Sequence, residues 1–333
     1  MTLAKIRISD ENYLYASARV RARAANGINA DILNRMTEAR DAGEVFRILS
    51  EHGISVINGE DGTPDAEATL DAYLNSEFKE VQSFTHDPVI CDLLRYPYDA
   101  HNLKSAIKSE IRGTSGELIY IDLGSVGASK VTEMTTKRDF TAYPENMAAA
   151  AAKAIDEFDK TSDPQRIDIA IDRACYADVL ALAGRINKSF FTEAVKTKID
   201  VTNILTALRV MRMGADISYF SSCYIDGGKL TLDFYKKLTA SGTEGFSETL
   251  NSTDYPYIAA ALEAGGRLAD AERICDNCYI EKLRASYSIA YGAEVPYSYL
   301  ALKDYEVRNI RIIITSKKVG LSAAEIRAKL RGV

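Results

Sequence analysis

Tryptophan is absent from this chain, proline occurs only seven times and histidine only three times in 333 residues. With so few prolines, long stretches of Ala, Leu, Ile, Arg, Lys and Glu run uninterrupted, which favours helix over sheet. His52, His86 and His101 are poorly spaced for metal binding: none falls in His-x-x-x-His or His-Glu-x-x-His register. The five cysteines, Cys91, Cys175, Cys223, Cys275 and Cys278, form no disulfide framework of the secreted kind. Cys275 and Cys278 make a lone Cys-x-x-Cys with no second pair to complete a tetrahedral zinc site, so packing is the better reading of both. No run of ~18 apolar residues occurs, and the N-terminal stretch has no apolar segment of signal-peptide length. The expected setting is a reducing cytoplasm, with no segment that crosses a membrane and contact with something embedded in one left open.

Catalytic signatures are missing as well. A phosphate-cradling loop needs Gly-x-x-x-x-Gly-Lys-Ser/Thr, and the nearest approach, Gly227, Gly228 and Lys229, lacks the leading glycine and ends in Leu230. Neither Gly-x-Gly-x-x-Gly nor a Gly-x-Ser-x-Gly elbow is found. No catalytic, cofactor-binding or metal-binding residue is assigned. The net charge of −6, from 41 basic and 47 acidic residues, argues against a nucleic-acid protein.

The charge that is present is unevenly spread. Glu51 to Asp92 carries ten acidic residues against the single Lys79, whereas Lys303 to Val333 carries eight basic and three acidic ones. Two readings stay open: ordinary solvated surface, or two faces that meet different partners. Helices are expected over Glu11–Ala25, Ile28–Ala42 and from Glu44, the last with Val45, Phe46, Ile48 and Leu49 inward; Asn58 to Pro64 reads as a loop. Five prolines (Pro88, Pro144, Pro164, Pro256 and Pro296) sit where a helix begins, with Asp87 and Asp163 as caps. Pro144–Lys160, with alanine from Ala148 to Ala152, and Pro164–Asn187, with Ile167, Ile171, Ala174, Val179, Leu182 and Ile186 on one face, read as an antiparallel helix pair.

The most informative feature is a repeated pattern: an acidic residue, Asn three positions later, then an apolar helical stripe. It reads Asp99-Ala-His-Asn102, Asp200-Val-Thr-Asn203 and Glu306-Val-Arg-Asn309. Three positions apart on a helix, carboxylate and amide share a face, where they can hydrogen-bond a neighbouring segment and fix how units dock. Glycine-bearing turns follow: Gly113 to Gly116 and Gly124 to Gly127, then Gly227 and Gly228, then Gly320. Three copies about a hundred residues apart predict an all-α fold of three similar helical subdomains, 1–117, 118–217 and 218–333. Such a fold suits holding a partner better than enclosing a small substrate.

Several stretches resemble the C subunit of prokaryotic A/V-type ATPases, whose eukaryotic counterpart is the d subunit of the V-ATPase. They are Tyr96 to Lys104, Lys198 to Arg209, Tyr305 to Arg311 followed by Lys318 to Leu321, and Tyr13 to Arg21 near the start. The resemblance implies a pseudo-threefold, funnel-like body that binds neither nucleotide nor ion. It would link the D and F subunits of the central stalk to the membrane rotor ring of proteolipid subunits, on the cytoplasmic side, as a non-catalytic part of a proton- or sodium-translocating complex. On this reading Arg308, Arg311, Lys317 and Lys318 are candidate partner contacts. The rival is a generic cytoplasmic helical-repeat scaffold for other proteins.

Overall fold

The computed structural model describes residues 4–114, 120–240, 242–258 and 267–333. Ser115 and Gly116 of the first glycine turn, the first three residues of the chain, and the run expected after Ile258 lie outside the described residues. Among those residues there are fifteen α-helices and no strand beyond two isolated bridges, so the fold is all-α. In chain order the helices are α1 (Leu14–Asn26), α2 (Ala30–Glu38), α3 (Ala42–Glu51), α4 (Ala66–Phe84), α5 (Val89–Arg112), α6 (Ala128–Lys137), α7 (Glu145–Thr161) and α8 (Gln165–Arg185). They continue as α9 (Ser189–Met213), α10 (Ile217–Cys223), α11 (Leu232–Ala240), α12 (Gly242–Asn251), α13 (Leu268–Arg284), α14 (Glu294–Lys318) and α15 (Ala323–Arg327).

The chain divides into two compact units. Unit 1 comprises residues 1–8 and 89–268; unit 2 comprises 9–88 and 269–333. These divisions do not follow the boundaries expected after 117 and 217. Unit 2 is discontinuous because α14 is buried along most of its length and takes its cover from α1, α3 and α4, more than two hundred residues earlier in sequence.

Local rules explain several helix ends. Asn29, Asp41, Asp65 and Asp216 each accept a hydrogen bond from a backbone N–H of the first turn that follows. Gly53 and Gly214 end α3 and α9 in the left-handed region, at φ 79° and 64°. The apolar face read from Ile167, Ile171, Ala174, Val179, Leu182 and Ile186 is buried as expected. Pro88, Pro144 and Pro164 each directly precede a helix, and Asp163 caps α8 by accepting from the Gln165 N–H at 3.0 Å. Asp87 departs from its expected role, since its carboxylate accepts the Tyr13 hydroxyl at 3.0 Å. Pro97 lies inside α5, where its missing N–H removes one hydrogen bond just before Asp99.

The start of α7 is held by its neighbour. Pro144 supplies no side-chain cap, and Asp178 of α8 takes over: Oδ1 accepts from the Asn146 N–H and Nδ2 at 3.0 and 2.7 Å, and Oδ2 from the Met147 N–H at 2.8 Å. Asp178 is buried. Its replacement by Ala should strand two N–H groups and lower unfolding free energy by about 1–3 kcal/mol, measured by urea denaturation; an unchanged midpoint and slope would refute the cap.

Candidate functional site

The three acidic–Asn pairs lie near the middle of the three longest helices, α5 (24 residues), α9 (25) and α14 (25). Asp99, Asn102, Asp200, Asn203 and Asn309 are all at most 3% exposed. Two pairs belong to unit 1 and the third to unit 2.

Each asparagine makes the same clamp. Asn102 Nδ2 donates to the Ile121 carbonyl at 2.8 Å while its Oδ1 accepts from the Ile121 N–H at 3.0 Å. Asn203 does the same to Ile225, at 2.7 and 3.0 Å, and Asn309 to Arg331, at 2.8 and 2.9 Å. A primary amide carries a donor and an acceptor side by side, so it can pair with both backbone groups of one residue as another peptide would. Aspartate would offer acceptors only, and leucine nothing. The clamped residue follows the asparagine by 19, 22 and 22 positions.

The acidic residue acts one turn earlier. Asp99 accepts from the Ser125 N–H at 3.1 Å, the Ser125 hydroxyl at 2.5 Å and the Val126 N–H at 3.0 Å. Asp200 accepts from the Lys229 and Leu230 N–H groups at 3.0 and 3.1 Å and from the Tyr255 hydroxyl at 2.8 Å. Both carboxylates thus cradle a turn three to five residues past the clamped isoleucine. The turn comes so close that the Cβ of an alanine at Gly124 or Gly228 would lie 2.2 Å from the carboxylate oxygen. Burial pushes both carboxyl groups above the ordinary aspartate value, against the pull of the bonds they accept.

The third pair keeps the clamp and changes the acid. Glu306 accepts from Lys303 Nζ at 2.9 and 2.8 Å and from the Tyr73 hydroxyl at 2.9 Å, and Lys303 also donates to Tyr73 at 2.9 Å. Side-chain exposure of the ion pair is 6% for Lys303 and 12% for Glu306. Burial raises the Glu306 carboxyl despite the ammonium beside it. Nearby, Glu77 accepts from Tyr299 and from Arg23, at 2.6 and 2.7 Å. The clamped tail is further sewn to α13, through Arg331 to Asp276 at 3.3 Å and the Gly332 N–H to Asn277 at 2.8 Å.

The four basic candidates divide. Arg311 pairs with Glu67 at 2.9 Å and Asp71 at 3.4 Å, so part of the acidic run and part of the basic tail meet each other inside unit 2. Arg308 pairs with Asp304 at 2.8 Å and stacks over Tyr305. Lys317 is half-buried and Lys318 exposed at the end of α14. Cys275 is buried and Cys278 partly so, both as free thiols. Among the described residues no three His, Cys, Asp or Glu side chains gather as metal ligands, and no helix is long and apolar enough to cross a membrane.

The sequence reading missed the partners of the anchors. Their signal was present: Ile121-Asp-Leu-Gly-Ser-Val126 and Ile225-Asp-Gly-Gly-Lys-Leu230 share Ile-Asp-x-Gly-x-apolar. Tyr73, Tyr255 and Lys303 carry no comparable pattern. Asn203→Ala should strip two buried bonds from Ile225 and lower stability by about 2–4 kcal/mol. Gly228→Ala should also destabilise, by crowding Asp200, and thermal unfolding of the two variants is the measurement; wild-type stability in either would contradict this geometry.

The family profile described as ATP synthase (C/AC39) subunit matches residues 16–329. Curated relatives align along nearly their whole length. The C subunit of the A-type ATP synthase of Haloquadratum walsbyi is 26% identical over 96% of this chain and 98% of its own. That of Methanocaldococcus jannaschii is 24% identical over 98% and 88%. The C subunit of the V-type sodium ATPase of Enterococcus hirae is 21% identical over 94% and 96%.

Proposed function

The chain belongs to the ATP synthase (C/AC39) subunit family, and from that premise we propose that it is the rotor piece coupling the central stalk, with its D and F subunits, to the membrane ring of proteolipid subunits. In this reading it works as a passive adaptor on the cytoplasmic side. Torque generated in the soluble head drives ion translocation through it, or ion flow drives ATP synthesis. ATP chemistry and ion passage belong to other subunits.

The observation that carries the proposal is the family match over almost the full chain, joined to the three clamps. A torque-bearing part must not yield internally, and each clamp ties a loop to a buried point on a long helix by hydrogen bonds that water cannot easily replace. The proposal keeps the three anchors as marks of three related units. Arg308, Arg311, Lys317 and Lys318 are proposed as the partner-facing edge of unit 2, with Lys317 and Lys318 foremost because the two arginines already have carboxylate partners on the same chain.

Mixing the purified chain with a D–F subcomplex at micromolar concentration should give co-elution on size exclusion. Separate elution would overturn the proposal in favour of a generic scaffold. Changing Lys317 and Lys318 together to Glu should slow association roughly two- to tenfold at low salt, with the effect fading as ionic strength rises; stopped-flow mixing at two salt concentrations reads it. A rate unchanged at low salt would remove those lysines from the interface.

A further inference from the structure

Each of the three clamps acts within one unit, while the chain itself passes between the units at Ile8–Ser9, Pro88–Val89 and Leu268–Ala269. The first passage starts from a short strap, Ala4 to Ile8, laid along the junction between α8 and α9 in unit 1. The Ile6 N–H donates to the Arg185 carbonyl at 2.8 Å and the Asn187 N–H to the Ile6 carbonyl at 3.2 Å, a parallel pairing of Ile6 with Ile186. Asn187 then holds Ile8 much as the anchor asparagines hold their partners: Oδ1 accepts from the Ile8 N–H at 2.9 Å and Nδ2 donates to the Ile8 carbonyl at 3.3 Å. Arg185 Nε donates to the Ala4 carbonyl at 3.1 Å. Ile8 and Ile186 are buried. Asn187 itself is exposed, which sets this pairing apart from the three buried anchors. Chain ends fray unless they are tied down, and this one is tied at every second residue.

The strap leaves the first passage no slack. Only four residues separate Ile8 from Tyr13: Ser9 is extended, and Asp10–Tyr13 is a single 3₁₀ turn that runs directly into α1. Tyr13 is fully buried in unit 2, where its hydroxyl donates to the Asp87 carboxylate at 3.0 Å. Asp87 stands next to Pro88, the last residue of unit 2 before the second passage. The first two passages are thus tied to each other inside unit 2, which is the use of Asp87 that its place before a helix did not suggest. On the unit 1 side, the second passage opens straight into α5 at Val89, and the strap is held two residues before α9 begins at Ser189. Both of those helices carry anchors.

Two chain passages leave one rotation that the backbone does not resist, about the line through them, because the few residues at each passage absorb it in their φ and ψ. A third passage with both ends fixed resists it. In a part that carries torque, that rotation would be slip. We infer that the strap, held by Asn187, and the Tyr13–Asp87 bond together form a brace that resists turning of unit 2 against unit 1. The inference rests on the coupling function proposed above. Because Asn187 is exposed, the brace can be undone without opening the core of either unit.

The test uses the full chain with spin labels on its two half-buried thiols, Cys223 in unit 1 and Cys278 in unit 2, the other three cysteines being buried. Pulsed dipolar spectroscopy reads the spread of the label-to-label distance. Wild type is compared with Asn187→Ala, with Tyr13→Phe, and with Ile6→Pro, which removes the Ile6 N–H and leaves the α8–α9 junction unaltered should Asn187→Ala disturb it. Thermal melts check the fold of each. Asn187→Ala should speed hydrogen exchange of the Ile8 amide by roughly tenfold and broaden the distance distribution. Ile6→Pro should broaden it likewise, and Tyr13→Phe to a smaller extent. Folded Asn187→Ala and Ile6→Pro chains that show the faster exchange yet keep the wild-type distribution would overturn the brace and leave the strap as a stabiliser of unit 1 alone. A wild-type distribution already as broad as theirs would overturn it too. Neither result touches the coupling function, which the co-elution with D–F decides separately.

Discussion

A buried amide side chain paired with both backbone groups of one distant residue is the interaction on which this structure depends. It recurs three times, at Asn102, Asn203 and Asn309, always at the centre of a long helix. A helix satisfies its own backbone, but a segment laid against its buried face does not. The N–H and C=O of Ile121, Ile225 and Arg331 need partners, and each one left without would cost about 1–3 kcal/mol. Against a net stability of about 5–15 kcal/mol for a typical domain, three such pairings are enough to decide which segment lies on which helix.

The carboxylate one turn away varies while the clamp persists. At Asp99 and Asp200 the acid gathers two consecutive N–H groups and a hydroxyl, a bonding capacity only a carboxylate has in so small a volume. That cradle requires a glycine opposite, because any Cβ would collide with the oxygen. At the third position a longer acid, Glu306, reaches back to Lys303 and across to Tyr73. The clamp is retained and the cradle is exchanged for an ion pair with Lys303.

What could be read from the sequence was what chemistry encodes locally. Helical periodicity, Pro88, Pro144 and Pro164 before helices, and the two-residue anchor signature all act within a few positions of themselves. The anchors' partners were not legible in the same way: the clamped residues lie 19 to 22 positions on and contribute only backbone groups, which every residue has. The discontinuous unit 2 was hidden for a related reason. Helical faces of α3, α4 and α14 say that each is buried, not against what, and Arg311 meets Glu67 across 244 positions. Asp87 read as a cap by type and place, and tertiary context gave it Tyr13 instead.

For the coupling role proposed here, stiffness and partner recognition make opposite demands on polar groups. A part that transmits torque loses work to any internal element that can slip between two arrangements, so its connections favour close packing and fully paired buried groups, both of which the anchors provide. Recognition needs the reverse: groups whose bonding is incomplete until a partner arrives. Lys303 and Glu306 neutralise each other inside unit 2, while Arg21 on α1 and Lys318 at the end of α14 are held by no carboxylate among the described residues. The charge pairing of Arg311 with Glu67 and Asp71 belongs to the first class, although it is drawn from the two most charged stretches of the sequence. Regional charge alone therefore does not mark an interface. On the proposed coupling role, the mark of an interface is charge left over after the fold has used what it needs.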